Sequence, residues 1–199
     1  MSNKYLLIAI GLSVITCIPW FVMYERKKAS VTEAVLVAVM VAFSTVGRIA
    51  FAAFPHFKPV TALVTVAGAS LGPGAGFVTG ALTAAVSNMY YGHGPWTVFQ
   101  MAGWGIIGMV SGIFGEHIRS SSLRLAAFGA MGGVAFSMIM DVYTLLSTDE
   151  VFNGGRLMFY AAAGLPVTLI HAVSSAVFLL ILGRPFCRKL SRIKRKYID

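Results

Sequence analysis

Apolar residues run along this chain in long blocks, without the short alternation of a half-buried strand. Seven blocks stand out, at 4–24, 31–53, 57–72, 75–91, 95–115, 122–147 and 157–184. Most reach the ~17–25 residues that a helix needs to cross a bilayer. Blocks 57–72 and 75–91 are short, and Leu71, Gly72, Pro73 and Gly74 separate them. Proline and glycine stop a helix there, so the pattern predicts two short spans in place of one long one. The expected fold is therefore an all-α integral membrane protein.

Composition agrees. Of 199 residues, 57% are apolar and 12% are charged, against roughly 25% charged in soluble domains, and the mean hydropathy is +0.79. A soluble fold of this size could not hide so much apolar surface, and secreted, disordered and collagen-like readings fall with it. Cys17 and Cys187 lie at opposite ends and give no disulfide framework and no metal-ligand spacing.

The net charge of +9 would suggest nucleic acid if it were spread along the chain. It is not. Arg188, Lys189, Arg192, Lys194, Arg195 and Lys196 crowd into the last segment, and Arg26, Lys27 and Lys28 follow the first block. Seven crossings with these clusters on the cytoplasmic side put most basic residues inside, the N-terminus outside and the C-terminus in the cytoplasm. The basic tail then reads as an anchor on anionic lipid, with the bilayer and not nucleic acid as its partner. The first block lacks a small-x-small cleavage site and reads as a retained helix, not a signal peptide.

Small residues recur every fourth position, which lets membrane helices approach closely. Gly68, Gly72, Gly76 and Gly80 form one such ladder; Gly108 with Gly112, and Gly129 with Gly133, form others. These suit internal packing. Ala34, Ala38 and Ala42 line one face of the second block, suited either to packing or to docking a partner helix.

Ionisable groups at membrane depth are costly and face a cavity, a partner or water. Arg48 lies ~25 Å up its block and Asp141 ~28 Å up its own, at 1.5 Å per residue. They either pair with each other or each meet a ligand. Lys58, Asn88, His93, Trp96, Gln100, Trp104, Tyr143 and Tyr160 gather at the same height and complete the candidate binding set. The tryptophans and tyrosines also suit an interfacial belt, whereas lipid-facing amides at Asn88 and Gln100 are unfavourable. The inner half offers mainly Ser and Thr hydroxyls, and His171 reads there as a helix-packing histidine.

Polar chemistry thus thins from one face inward. A channel would carry polar lining along its whole length, whereas a cup with a closed floor has this asymmetry. No phosphate-binding G-x-x-x-x-G-K-[ST] loop, H-E-x-x-H, C-x-x-C or G-x-S-x-G occurs. No catalytic residues, resident cofactor or metal are expected, and energy for uptake would come from an ion gradient or from partner subunits. Two other readings remain open: a membrane enzyme using Arg48 and Asp141, and an autonomous channel or carrier.

Several stretches resemble the substrate-binding S components of energy-coupling factor (ECF) transporters. They are Gly47-Arg48-Ile49-Ala50-Phe51-Ala52-Ala53-Phe54-Pro55-His56-Phe57-Lys58-Pro59-Val60, Ser70-Leu71-Gly72-Pro73-Gly74-Ala75-Gly76-Phe77, and Ser87-Asn88 followed by Gly92-His93-Gly94-Pro95-Trp96-Thr97. The resemblance implies a six-helix core at 31–184. Residues 1–30 would add one transmembrane helix with a basic linker, and 185–199 a basic cytoplasmic tail. It also implies a subunit of a bacterial plasma-membrane vitamin importer, working with a transmembrane coupling subunit and two cytoplasmic ATPases. In such proteins an Ala-x-x-x-Ala face docks the coupling subunit, which points to Ala34, Ala38 and Ala42. A loop corresponding to Phe54–Lys58 gates the site, and the whole subunit is thought to topple to deliver its solute. The pattern is most similar to cobalamin-type members, with queuosine-precursor and hydroxymethylpyrimidine types as rivals.

Overall fold

The first described helix begins where a capping sequence predicts it. Ser30 precedes Val31, and its hydroxyl accepts a hydrogen bond from the Glu33 amide at 3.2 Å, satisfying one of the free N–H groups of the first turn. The computed structural model describes residues 30–148 and 153–198, together with individual helical positions between Leu7 and Val22. The expected N-terminal helix as an element, its flanking trio Arg26, Lys27 and Lys28, and the 149–152 loop lie outside the described residues.

Helix α1 spans Val31–Ala50 and buries Leu36, Val37, Met40, Val41, Ser44 and Thr45. Ala34, Ala38 and Ala42 are exposed along its other side, beside exposed Val35, Val39, Phe43 and Val46. Helix α2, Val60–Leu71, is buried at every position. It is apolar all round because nothing but protein surrounds it. At ~18 Å it cannot span the ~30 Å hydrocarbon layer. It ends at Gly72, whose φ of 111° suits glycine, and Pro73 starts α3, Pro73–Tyr91. The expected break is where the sequence puts it.

Helix α4, Trp96–Ile113, packs most extensively on α3. Glycine makes this possible. A Cβ on Gly76 would strike the Gly108 carbonyl, and one on Gly108 would strike the Gly76 carbonyl; Gly80 faces the Trp104 backbone in the same way. The ladders are therefore internal seams where backbones touch. A short α5, Gly115–Arg119, leads to α6, Ser122–Thr148. On α6, Gly133 admits the backbone of His171 and Gly129 the side chain of Leu179.

The last apolar block differs from the expectation of one span. It begins as α7, Gly154–Ala163, breaks at Gly164, and resumes as α8, Leu165–Phe178. Pro166 is part of the reason, since it suits only the first turn of a helix. Through a π-helical turn, Leu179–Gly183, α8 then continues into α9, Arg184–Tyr197. The basic segment expected as a tail is thus an ordered helix. It buries Cys187 and Leu190 and packs on α2.

All secondary structure among the described residues is helical. Four stretches among the described residues are long and apolar enough to cross a membrane: Val31–Ala50, Trp96–Ile113, Ser122–Thr148 and Leu165–Tyr197. Along the length of α2 the interior changes character. Thr61 near its start borders a cavity, whereas Val66, Ala67 and Leu71 join Met40, Leu125 and Leu179 in a dense apolar cluster. That cluster is the floor beneath the site.

Candidate functional site

Arg48 sits in the last turn of α1, among the free carbonyls of the helix C-terminus, where a cation is favoured. Its guanidinium donates to Ser87 Oγ and, at 2.8 Å, to Asn88 Oδ1. The amide nitrogen of Asn88 donates in turn to Thr97 Oγ1 at 2.9 Å and Gln100 Oε1 at 2.8 Å. Asn88 is completely buried, so each of these bonds offsets desolvation that would otherwise be uncompensated. The relay joins α1, α3 and α4. Tyr91 reinforces it, donating its hydroxyl to the Arg48 carbonyl at 2.7 Å. The guanidinium also packs over the rings of Tyr91 and Trp104, at 4.6 and 5.0 Å from their centroids.

Beside this relay lies a cavity of about 440 Å³. Trp104 and Phe136 form an aromatic wall, stacked with centroids 4.5 Å apart and planes 4° from parallel. The Trp104 indole N–H donates to Thr61 Oγ1 at 3.2 Å, which fixes the ring against α2. Arg48, Lys58, Gln100 and Asp141 supply charge and amide groups. Asp141, half-buried beside Gly164 at the α7–α8 break, makes no hydrogen bond or ion pair among the described residues.

The segment 51–59 borders the cavity through Pro55, His56 and Lys58. Lys58 Nζ donates to the carbonyls of Phe51 at 2.6 Å and Phe54 at 2.9 Å, capping α1 and folding the loop back on itself. Ser174 Oγ donates to the Lys58 carbonyl at 2.7 Å, tying the loop to α8. His56, at φ 61°, takes the left-handed conformation that non-glycine residues rarely adopt. Its ring lies 5.4 Å from that of His171, which shares a 2.7 Å hydrogen bond with Ser137 Oγ.

A family model described as "ECF-type riboflavin transporter, S component" matches residues 26–189. The chain belongs to this ECF S-component family. No curated protein and no solved structure matches the chain. As an S component it is a membrane-embedded part of a transporter, not an enzyme. It is the substrate-specific subunit, and it partners with ECF coupling and ATPase modules.

Within this S component, Arg48, Lys58, Gln100, Trp104 and Asp141 come together on one cavity. Asn88 stands behind them, holding Arg48 and Gln100. Four other expected residues do not line it. His93 is exposed, and Trp96 is half-buried. Tyr143 packs on Phe99 at 5.3 Å, and Tyr160 packs on Phe159 at 5.8 Å. Arg48 and Asp141 share the cavity without forming an ion pair.

His171 does more than pack helices: it bridges α6 and α8 through Ser137 and also faces the cavity. Phe136, Ser137, Thr144 and Thr168 line it as well, without having stood out in the sequence, and His56 joins them from the loop at Phe54–Lys58. Spacing held one signal for part of this set. Phe136, Ser137, Met140, Asp141 and Thr144 recur at helical intervals on α6, so one face carries them all.

Proposed function

We propose that this S component captures a compact, flat heteroaromatic vitamin from outside the cell, riboflavin being the first candidate, and hands it to its energising module. The observation that carries this is the cavity itself. A volume of about 440 Å³ falls in the ~300–1,000 Å³ range of small-molecule sites. Its stacked aromatic wall and scattered polar groups suit a ring with several hydrogen-bonding edges. The family description points the same way. Cobalamin, a corrin macrocycle with amide arms and a nucleotide tail, is far larger and would need the loop and helices to part.

The loop at Phe54–Lys58 acts as the gate, latched by Lys58 on the end of α1 and by Ser174 on α8. Orientation rests on the basic residues, with α9 on the cytoplasmic side and the cavity opening outward. Ala34, Ala38 and Ala42 form the docking face for the coupling subunit; their exposure along α1 supports that role.

The test is calorimetric titration of the purified chain, without nucleotide, against riboflavin, cobalamin, cobinamide and hydroxymethylpyrimidine. Saturable 1:1 binding of riboflavin with no heat from the corrinoids is the expected result. Tight cobalamin binding in the absence of riboflavin binding would overturn the ring-vitamin reading and restore the corrinoid one. Uptake by vesicles holding this chain alone would overturn the dependence on an energising module.

A further inference from the structure

At the far end of α2 from the solute cavity, the protein concentrates positive charge that little among the described residues offsets. Thr61 lines the first cavity; Ser70, ~14 Å along the same helix, lines a second of about 690 Å³. Its wall carries Arg119, Arg184, Arg188, Arg192, Lys194 and Arg195. Among the described residues a single carboxylate shares it, that of Glu116, which projects into solvent and meets Arg119 at 3.4 Å. Arg119 also donates to Ser191 Oγ at 2.9 Å, fixing α5 against α9 and shaping the cavity. On the inner wall the Ser70 hydroxyl is buried beside the Cys187 thiol.

We propose that this cavity binds the phosphate of one anionic phospholipid per chain. Guanidinium groups recognise phosphate oxygens through paired, charge-assisted hydrogen bonds, and basic pockets between transmembrane helices are where anionic headgroups settle. Height and surroundings favour a lipid over a soluble phosphate. The cavity lies where the long stretch from Leu165 changes from apolar to basic. Large apolar side chains stand exposed on neighbouring turns: Ile113 and Phe114 before α5, Leu123 at the start of α6, and Leu180 and Ile181 just before α9. Acyl chains can lie against that collar while the headgroup occupies the basic cavity. This goes beyond a diffuse attraction to anionic membranes, because it assigns the binding to particular side chains.

The experiment is native mass spectrometry of the full-length chain in neutral detergent, titrated with phosphatidylglycerol, phosphatidylcholine, inorganic phosphate or a polyglutamate peptide. One saturable phosphatidylglycerol per chain is expected. The double variant Arg188→Gln, Arg192→Gln should bind it about thirtyfold more weakly. Lys189→Gln with Lys196→Gln removes the same charge from the same helix outside the cavity wall and should leave binding close to wild type. Should the arginine double variant lose its wild-type thermal transition, Arg195→Gln alone should weaken binding about fivefold. Equal loss in the arginine and lysine variants would reduce the effect to diffuse surface charge and overturn the proposal. So would phosphatidylcholine binding as tightly as phosphatidylglycerol. Inorganic phosphate competing at the lipid's own affinity would overturn the lipid in favour of a soluble ligand. If only a polyglutamate peptide occupied the cavity, the surface would be a protein-docking face and the proposal would fall.

Discussion

Asn88 is the residue on which the rim turns. Its carbonyl oxygen faces a cation and its amide nitrogen faces two acceptors, so the side chain is satisfied on both sides. Asn88→Ala would leave buried partners unpaired, at a cost of about 1–3 kcal/mol. The expected outcome is a lower thermal midpoint together with weaker solute binding, read by melting and titration of the same preparation. Asn88→Asp should restore an acceptor for Arg48 but not the donors for Thr97 and Gln100, giving an intermediate phenotype. The sequence already marked Arg48, Asn88 and Gln100 as costly in a bilayer. It could not pair Arg48 with Asn88, because that bond crosses 40 residues and exists only once α1 packs on α3. His56 was less visible still, since its place depends on the turn at 51–59 and not on any periodic pattern.

Among the helices, the glycine seam makes the sharpest demand. Gly108→Ala puts a methyl group against the Gly76 backbone, where no side chain can move aside. Overpacking of this kind costs about 1–3 kcal/mol, so the melting temperature in detergent should fall. Gly154→Ala, which meets open space at the start of α7, should leave it unchanged. Equal behaviour of the two variants would contradict the seam. Most helix positions were legible from apolar runs, and the Gly72–Pro73 break from its residues. The break at Gly164 was missed although glycine and Pro166 were present, because apolar residues continue across it on both sides. The helical order of α9 was hidden for the opposite reason. Its dense charge masked the spacing of Phe186, Leu190 and Ile193, which gives one face to bury.

Taken whole, the molecule separates three regions in space: the cavity proposed for solute at one end, an apolar floor across the middle, and a basic end beyond it. On α1 the exposed alanines line neither cavity and take no part in the floor. Ala38→Trp should therefore leave solute affinity unchanged while abolishing uptake by cells or vesicles that contain the coupling and ATPase subunits. Unimpaired uptake would remove that face from the docking surface. The cavity itself is tested most directly by comparing Trp104, which lines it, with Trp96, which does not. Riboflavin fluorescence quenching, titrated on wild type, Trp104→Ala and Trp96→Ala with matched thermal transitions, compares them. Affinity should fall about tenfold or more for Trp104→Ala and stay at the wild-type value for Trp96→Ala. The reverse order, or equal losses in both, would contradict a solute site in this cavity.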